Sequence, residues 1–218
     1  MNKVIIFGVL DLAELAHFYL ENDSNYQVVA FTINKEFMKD TKFHGLPIVA
    51  FEDINQLYPP DEYKLFAPMT GKNMNRNREA IFLEGKKKGY SFISYISSKA
   101  TLFKGAEIGE NCFILEDNTI QPFTSIGNNV VLWSGNHIGH HGKIMDHVFF
   151  TSHVVMSGHC SIMPYSFLGV NSTIRDTITI AQGSLVAMSA AVTKDTEEWG
   201  VYVGNPARKT AKPSYEVY

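Results

Sequence analysis

The chain has 218 residues, 45% of them hydrophobic, and a formal net charge of −3, which suits one large or two small globular units and excludes a broad electrostatic footprint for nucleic acid or anionic lipid. Two cysteines, Cys112 and Cys160, are too few for a disulfide framework and fit a reducing compartment. No apolar run approaches the ~18 residues of a membrane span, so a cytoplasmic protein with neither nucleic acid nor membrane as partner is expected.

In chain order, VIIFG reads as a buried strand, Asp11 as the cap of an apolar helix through Leu20, and YQVVAFT as a second strand, the start of a βαβ unit. GLPIVAF and YKLFAPM read as further strands around the turn-forming YPPDE. NRNREAIFLEGKKKG reads as a helix with lysines in its last turn and Gly89 as its stop. The segment YSFISYISSKA then leads into a different regime.

From Leu102 to Val192 every sixth residue is apolar, sixteen positions without one polar side chain. At an apolar frequency of about one half, chance gives this roughly once in 65,000 tries. A period of six is neither helical nor simple strand alternation. It suits a chain that turns a corner every six residues with one bulky side chain pointing inward per face, three faces making an 18-residue coil. Two residues before most of these aliphatics stand small or branched side chains, Cys112 and Cys160 among them. Three residues after it stand Gly105, Asn111, Asp117, Asn129, Gly135, Asn171 and Gly183, which tolerate left-handed φ; His141, His147, His153 and His159 share that column. The fold class is therefore an α/β N-terminal domain with a small parallel, Rossmann-like sheet over residues 1–98. A parallel β-helix over 99–195 follows it, and a tail, 196–218, folds over the last coil.

The hexads together with GNHIGHH, VVMSGHC, FLGVNSTIRDTITI and GVYVGNPARK resemble the left-handed β-helix sugar acyltransferases. The branch is that of sialic acid O-acetyltransferases and nucleotide-linked 4-amino-sugar N-acetyltransferases. The resemblance covers nearly the whole chain and is strongest over 100–210. It implies a homotrimer and acetyl-CoA as co-substrate in the groove between adjacent prisms. The activity it implies is direct acetyl transfer to an amine or hydroxyl of a sugar or nucleotide sugar, for surface-polysaccharide or glycan biosynthesis, and no metal is expected.

The same resemblance implies His140 as general base, four residues before Ile144, since a neutral imidazole is a competent base at cellular pH. Relatives often carry an acidic residue next, where this chain has His141, and a second histidine nine residues on, where it has Phe149. Asn136 and His137 precede the base and could hydrogen-bond it or the acceptor, as could His141. Gly158, one coil after His140, is the candidate oxyanion donor. Ala187 and Met188 fall where relatives touch the pantetheine. Asn205 and Pro206 fix a turn beside the adenine, and Arg208 and Lys209 offer charge to the phosphates. In the N-terminal domain Gly8, Asn34 and Lys35 fall where relatives bind a nucleotide sugar. Two other classes fit the same pattern: a noncatalytic β-helix scaffold, and a zinc enzyme of the carbonic-anhydrase-like β-helix type, since His141 and His159 are 18 apart and so about 4.8 Å from each other on one edge.

Overall fold

The computed structural model describes residues 2–218. Strand β1 (Asn2–Phe7), helix α1 (Asp11–Asn22) and strand β2 (Tyr26–Ile33) form the expected βαβ unit, with β1 and β2 parallel. Strand β3 (Lys42–Phe43) and strand β4 (Leu46–Ala50) precede the short helix α2 (Ile54–Leu57). Strand β5 (Tyr63–Phe66) and helix α3 (Arg76–Lys87) complete the unit. The sheet order is β3-β4-β2-β1-β5, parallel except at the β3 edge. The capping expectation is corrected: Asp11 is already helical, and Leu10 holds the cap position without a side-chain hydrogen bond. Leu10 instead offers its carbonyl to the N–H groups of Ala13 and Glu14, and Asp11 acts only through the helix dipole. Gly89 ends α3 as expected, at φ 93°.

The coil consists of two-residue strands on three faces, each strand pairing in parallel with the one 18 residues away, as in Thr119↔His137 and Ile120↔Ile138. Face 1 runs from Tyr95–Ile96 through Phe113–Ile114, Val131–Leu132, Phe149–Phe150 and Phe167–Leu168 to Leu185–Val186. Face 2 runs from Thr101–Leu102 to Ala191–Val192, and face 3 from Glu107–Ile108 to Thr179–Ile180. This is the parallel β-helix that the hexads imply, with the left hand that the family resemblance adds. The second residue of each strand points inward and forms one apolar column, Ile114 through Val192, with Cys112 and Cys160 inside it. Leu102, 41% exposed, and the half-buried Ile108 lie in the first strands of their faces, where no preceding coil covers them.

Every sixth residue from 105 to 189 has a left-handed φ, including Phe123 (64°), Tyr165 (64°) and Thr177 (64°). Bulky and β-branched side chains avoid this region when free, so closure of the triangle imposes the conformation and residue preference only eases it.

The N-terminal unit sits on face 1. Outward-pointing Phe113, Val131 and Phe149 share one core with Val4, Ile6, Ala16 and Phe31. Polar contacts border this core on both sides. Tyr19 Oη donates to Glu116 (2.7 Å) and Tyr95 Oη to Asp23 (2.7 Å), and the buried Arg78 donates to the Asn129 carbonyl (2.7 Å). Beyond Val192, Val201–Val203 extends face 1 beside Leu185–Val186 and pairs antiparallel with Arg208–Lys209.

Candidate active site

With face 1 and its two bordering corners in contact with the N-terminal unit, the corner between faces 2 and 3 is the edge of the prism farthest from it. Left-handed positions 105, 123, 141, 159 and 177 define this edge. His140 lies on it, exposed, following the inward Ile138. Its backbone N–H donates to Gln121 Oε1 (2.9 Å), and its Nδ1 lies 3.0 Å from Nδ1 of His141. His141 is sandwiched in a ladder of rings, 4.7 Å from Phe123 below and 4.7 Å from His159 above, the two imidazoles within 12° of parallel.

Gly158 sits one coil along the same edge. A Cβ there would lie 2.8 Å from both Cε1 and Nε2 of His140, so the imidazole occupies the space that glycine leaves. The N–H of Gly158 donates to no protein group among the described residues. The equivalent N–H one coil earlier, that of His140, is taken by Gln121; the residue in Gln121's place for Gly158 is Gly139, which has no side chain. A Cβ on Gly139 would come within 2.6 Å of the Gly158 nitrogen. Gly139, which leaves the Gly158 N–H uncovered, is a position that the amino-acid order alone did not single out. The signal was the Gln121/Gly139 alternation in one column of the repeat.

The structure brings His140, His141 and Gly158 together and separates them from the other candidates. Asn136 is corrected: it is buried inside the coil, its amide N–H donating to the Trp133 carbonyl and its Oδ1 accepting from Val154 N–H (2.8 Å). It therefore closes a corner inside the coil, away from the exposed base. His137 projects outward from face 2, half-buried, and makes no hydrogen bond to His140. Ala187 and the exposed Met188 lie at the corner between faces 1 and 2, across face 2 from His140.

Arg208 and Lys209 border a cleft with Lys194, Asp195 and Ala207. Lys194 is three coils above His140 on the same edge, about 14 Å away at the spacing of adjacent strands. Lys209 pairs with Glu197 (2.6 Å), Arg208 donates to the Ala207 carbonyl (3.0 Å), and the Asn205–Pro206 bond is cis. Gly8, Asn34 and Lys35 follow the C-terminal ends of β1 and β2, where open α/β sheets receive ligands. Gly8 has φ 115°, the Asn34 Oδ1 is buried without a partner, and Lys35 N–H is held by the Glu52 carboxylate (3.0 Å).

Residues 105–140 match the family model described as bacterial transferase hexapeptide (six repeats). Among curated proteins, the UDP-N-acetylglucosamine O-acyltransferase of Helicobacter pylori (strain Shi470), which uses an acyl-[acyl-carrier-protein], is 31% identical over 107 residues, 46% of this chain and 40% of that protein. The Sinorhizobium fredii protein of the same name is 26% identical over 106 residues, 45% of this chain and 39% of that one. The chain thus spans about two-fifths of the length of these relatives. Among solved structures, a mutant of perosamine N-acetyltransferase from Caulobacter crescentus in complex with CoA and GDP-perosamine superposes with TM-score 0.86 at 19% identity, covering 97% of this chain and 98% of that one. The acetyltransferase domain of PglB from Neisseria gonorrhoeae in complex with acetyl coenzyme A gives 0.85 at 17%, covering 96% and 99%. WeeI from Acinetobacter baumannii gives 0.82 at 20%, covering 96% and 100%. The N-terminal sheet and hexapeptide-repeat coil are therefore one shared architecture, matched over nearly the full length of this chain.

Proposed function

We propose that the protein transfers an acetyl group from acetyl-CoA to an amine or hydroxyl of a sugar, with His140 as general base. The single observation that carries this reading is the His140 imidazole lying over Gly158, whose N–H is free, on the one edge that the N-terminal unit leaves open. The cleft that Arg208 and Lys209 border reaches this edge at Lys194 and Asp195, at a distance that an extended pantetheine arm spans. The solved relatives bound to CoA and GDP-perosamine or to acetyl-CoA support the same chemistry.

In this mechanism His140 donates its Nδ1–H to Nδ1 of His141, 3.0 Å away, and so keeps its lone pair on Nε2. As the acceptor attacks the thioester carbonyl, Nε2 takes its proton. The Gly158 N–H stabilises the tetrahedral oxyanion, a contribution of about 3–4 kcal/mol for a preorganised donor. Collapse expels the coenzyme thiolate, which recovers the proton from His140. No acyl-enzyme forms.

Gly8, Asn34 and Lys35, as a nucleotide-sugar subsite, lie on the side of the prism opposite His140. One chain cannot bring them to its own base, so the reading includes a homotrimer in which a neighbouring subunit completes each site, with Ala187 and Met188 facing the seam. The test pairs a thermal shift with acetyl-CoA and a free-thiol assay over nucleotide-linked amino sugars and free sugars. Ligand at 100 times its Kd adds roughly 2.7 kcal/mol, and one acceptor class is expected to release thiol. No coenzyme shift and no thiol release with any acceptor would favour a noncatalytic scaffold.

A further inference from the structure

The His140 edge carries more imidazole than one base requires. His141 and His159 hold the same left-handed position one coil apart and stack. His140 stands edge-on to both, with ring centroids at 5.3 and 5.0 Å. Each of the three offers a ring nitrogen, and these nitrogens lie within 4.8 Å of one another on exposed side chains. Among the described residues no ion pair involves any of them.

A tetrahedral zinc with Zn–N bonds of about 2.0–2.1 Å sets its donors roughly 3.4 Å apart. The Nδ1 atoms of His140 and His141, at 3.0 Å, are already near this spacing. His159, with a ring nitrogen within 4.8 Å of the others, reaches it by rotation of an exposed side chain. Three neutral imidazoles without a carboxylate select zinc, copper or nickel over magnesium and calcium, and solvent completes the fourth position.

We propose that His140, His141 and His159 form an inhibitory site for a divalent transition metal, zinc foremost, whose occupation silences the base. Coordination through Nδ1 of His140 places the remaining ring proton on Nε2, so no lone pair is left to accept a proton from the acceptor. The metal site stands on the histidine geometry alone; the silencing rests on the acetyltransferase reading. Zinc is not a cofactor in this scheme, and transfer proceeds without it.

The test is calorimetric titration of the full chain with zinc chloride, for the wild type and for His159→Asn and His141→Asn. Asparagine tolerates the left-handed backbone at both positions, and a melting curve of each variant establishes that it is folded. One zinc per chain is expected for the wild type, with affinity at least tenfold weaker in the variants. Thiol release by the wild type should be inhibited by zinc and restored by chelator, with the inhibitory concentration at least tenfold higher for His159→Asn. Less than one zinc per chain, or unchanged affinity in both variants, overturns the site. Zinc binding that leaves wild-type turnover untouched overturns the silencing. Absence of acetyl transfer in metal-free protein would sink the acetyltransferase reading while leaving the titration to decide the metal site.

Discussion

The Cε1–Nε2 edge of His140 lies over the α-carbon of Gly158, one full coil further along the chain, so closely that a methyl group there would come within 2.8 Å of both ring atoms. Gly158 is not among the glycines with left-handed φ, so alanine suits its backbone and the collision falls on the imidazole alone. Gly158→Ala should therefore fold, melt as the wild type does and lose roughly 10²-fold in kcat, the cost of displacing a catalytic group by about 1 Å. Steady-state thiol release beside a melting curve checks this; undiminished kcat would show that the ring over Gly158 is not the base.

His140→Ala should keep the fold and coenzyme binding and lower turnover by about 10²–10⁴-fold. In the proposed mechanism His141 is a positioning residue that acts through His140. His141→Asn should lower kcat more than it raises KM and move the acid limb of the kcat pH profile, because the hydrogen bond that selects the His140 tautomer is weakened. A profile of unchanged shape would leave His141 a surface residue.

Stability should follow position in the stack. Ile162 is fully buried between coils, and Ile162→Ala is expected to cost about 2–5 kcal/mol. Leu102, 41% exposed in the first strand of its face, should cost less than about 1 kcal/mol as Leu102→Ala. Urea unfolding of the two variants side by side measures the difference, and equal losses would contradict the stacking order.

His147 sits under the N-terminal unit, 7% exposed, stacked on Tyr165 at 5.4 Å. Its Nδ1 lies 2.9 Å from the Asn129 amide nitrogen, and its Nε2 lies 3.6 Å from Glu79. Burial lowers its pKa below the ordinary 6.5, against the pull of Glu79 and Asp146 and with a further push from Arg78. A proton on Nδ1 would meet the N–H of Asn129. Since the unfolded chain takes up this proton more readily than the folded one, the stabilisation is complete above pH 6.5 and falls away as the pH drops below it. The melting temperature of His147→Asn should change less between pH 7.5 and about 5.5 than that of the wild type; parallel slopes would place the pH dependence elsewhere.

The coil and much of its interior were legible in the amino-acid order because a six-residue period is local. Whether Ile138 or His140 faces the core follows from its place in the hexad, and coil closure repeats that rule every 18 residues. The same rule could have placed Asn136 inside, two residues before Ile138, beside the small residues of that column; its polarity suggested a surface role that burial and two hydrogen bonds contradict. Gly139 escaped notice because its importance is a missing side chain one coil below Gly158, visible only once the coils are stacked.

What the order of residues determined by itself is the triangular spiral, its left-handed corners and the spacing that stacks His141 on His159. The tertiary structure decided which edge stays open, because that depends on where the N-terminal unit lands. It lands on face 1 through contacts that join residues 97 apart, as in Tyr19 with Glu116, or 51 apart, as in Arg78 with Asn129. No periodicity within either segment encodes such pairings, since they are set by the fit of two finished surfaces.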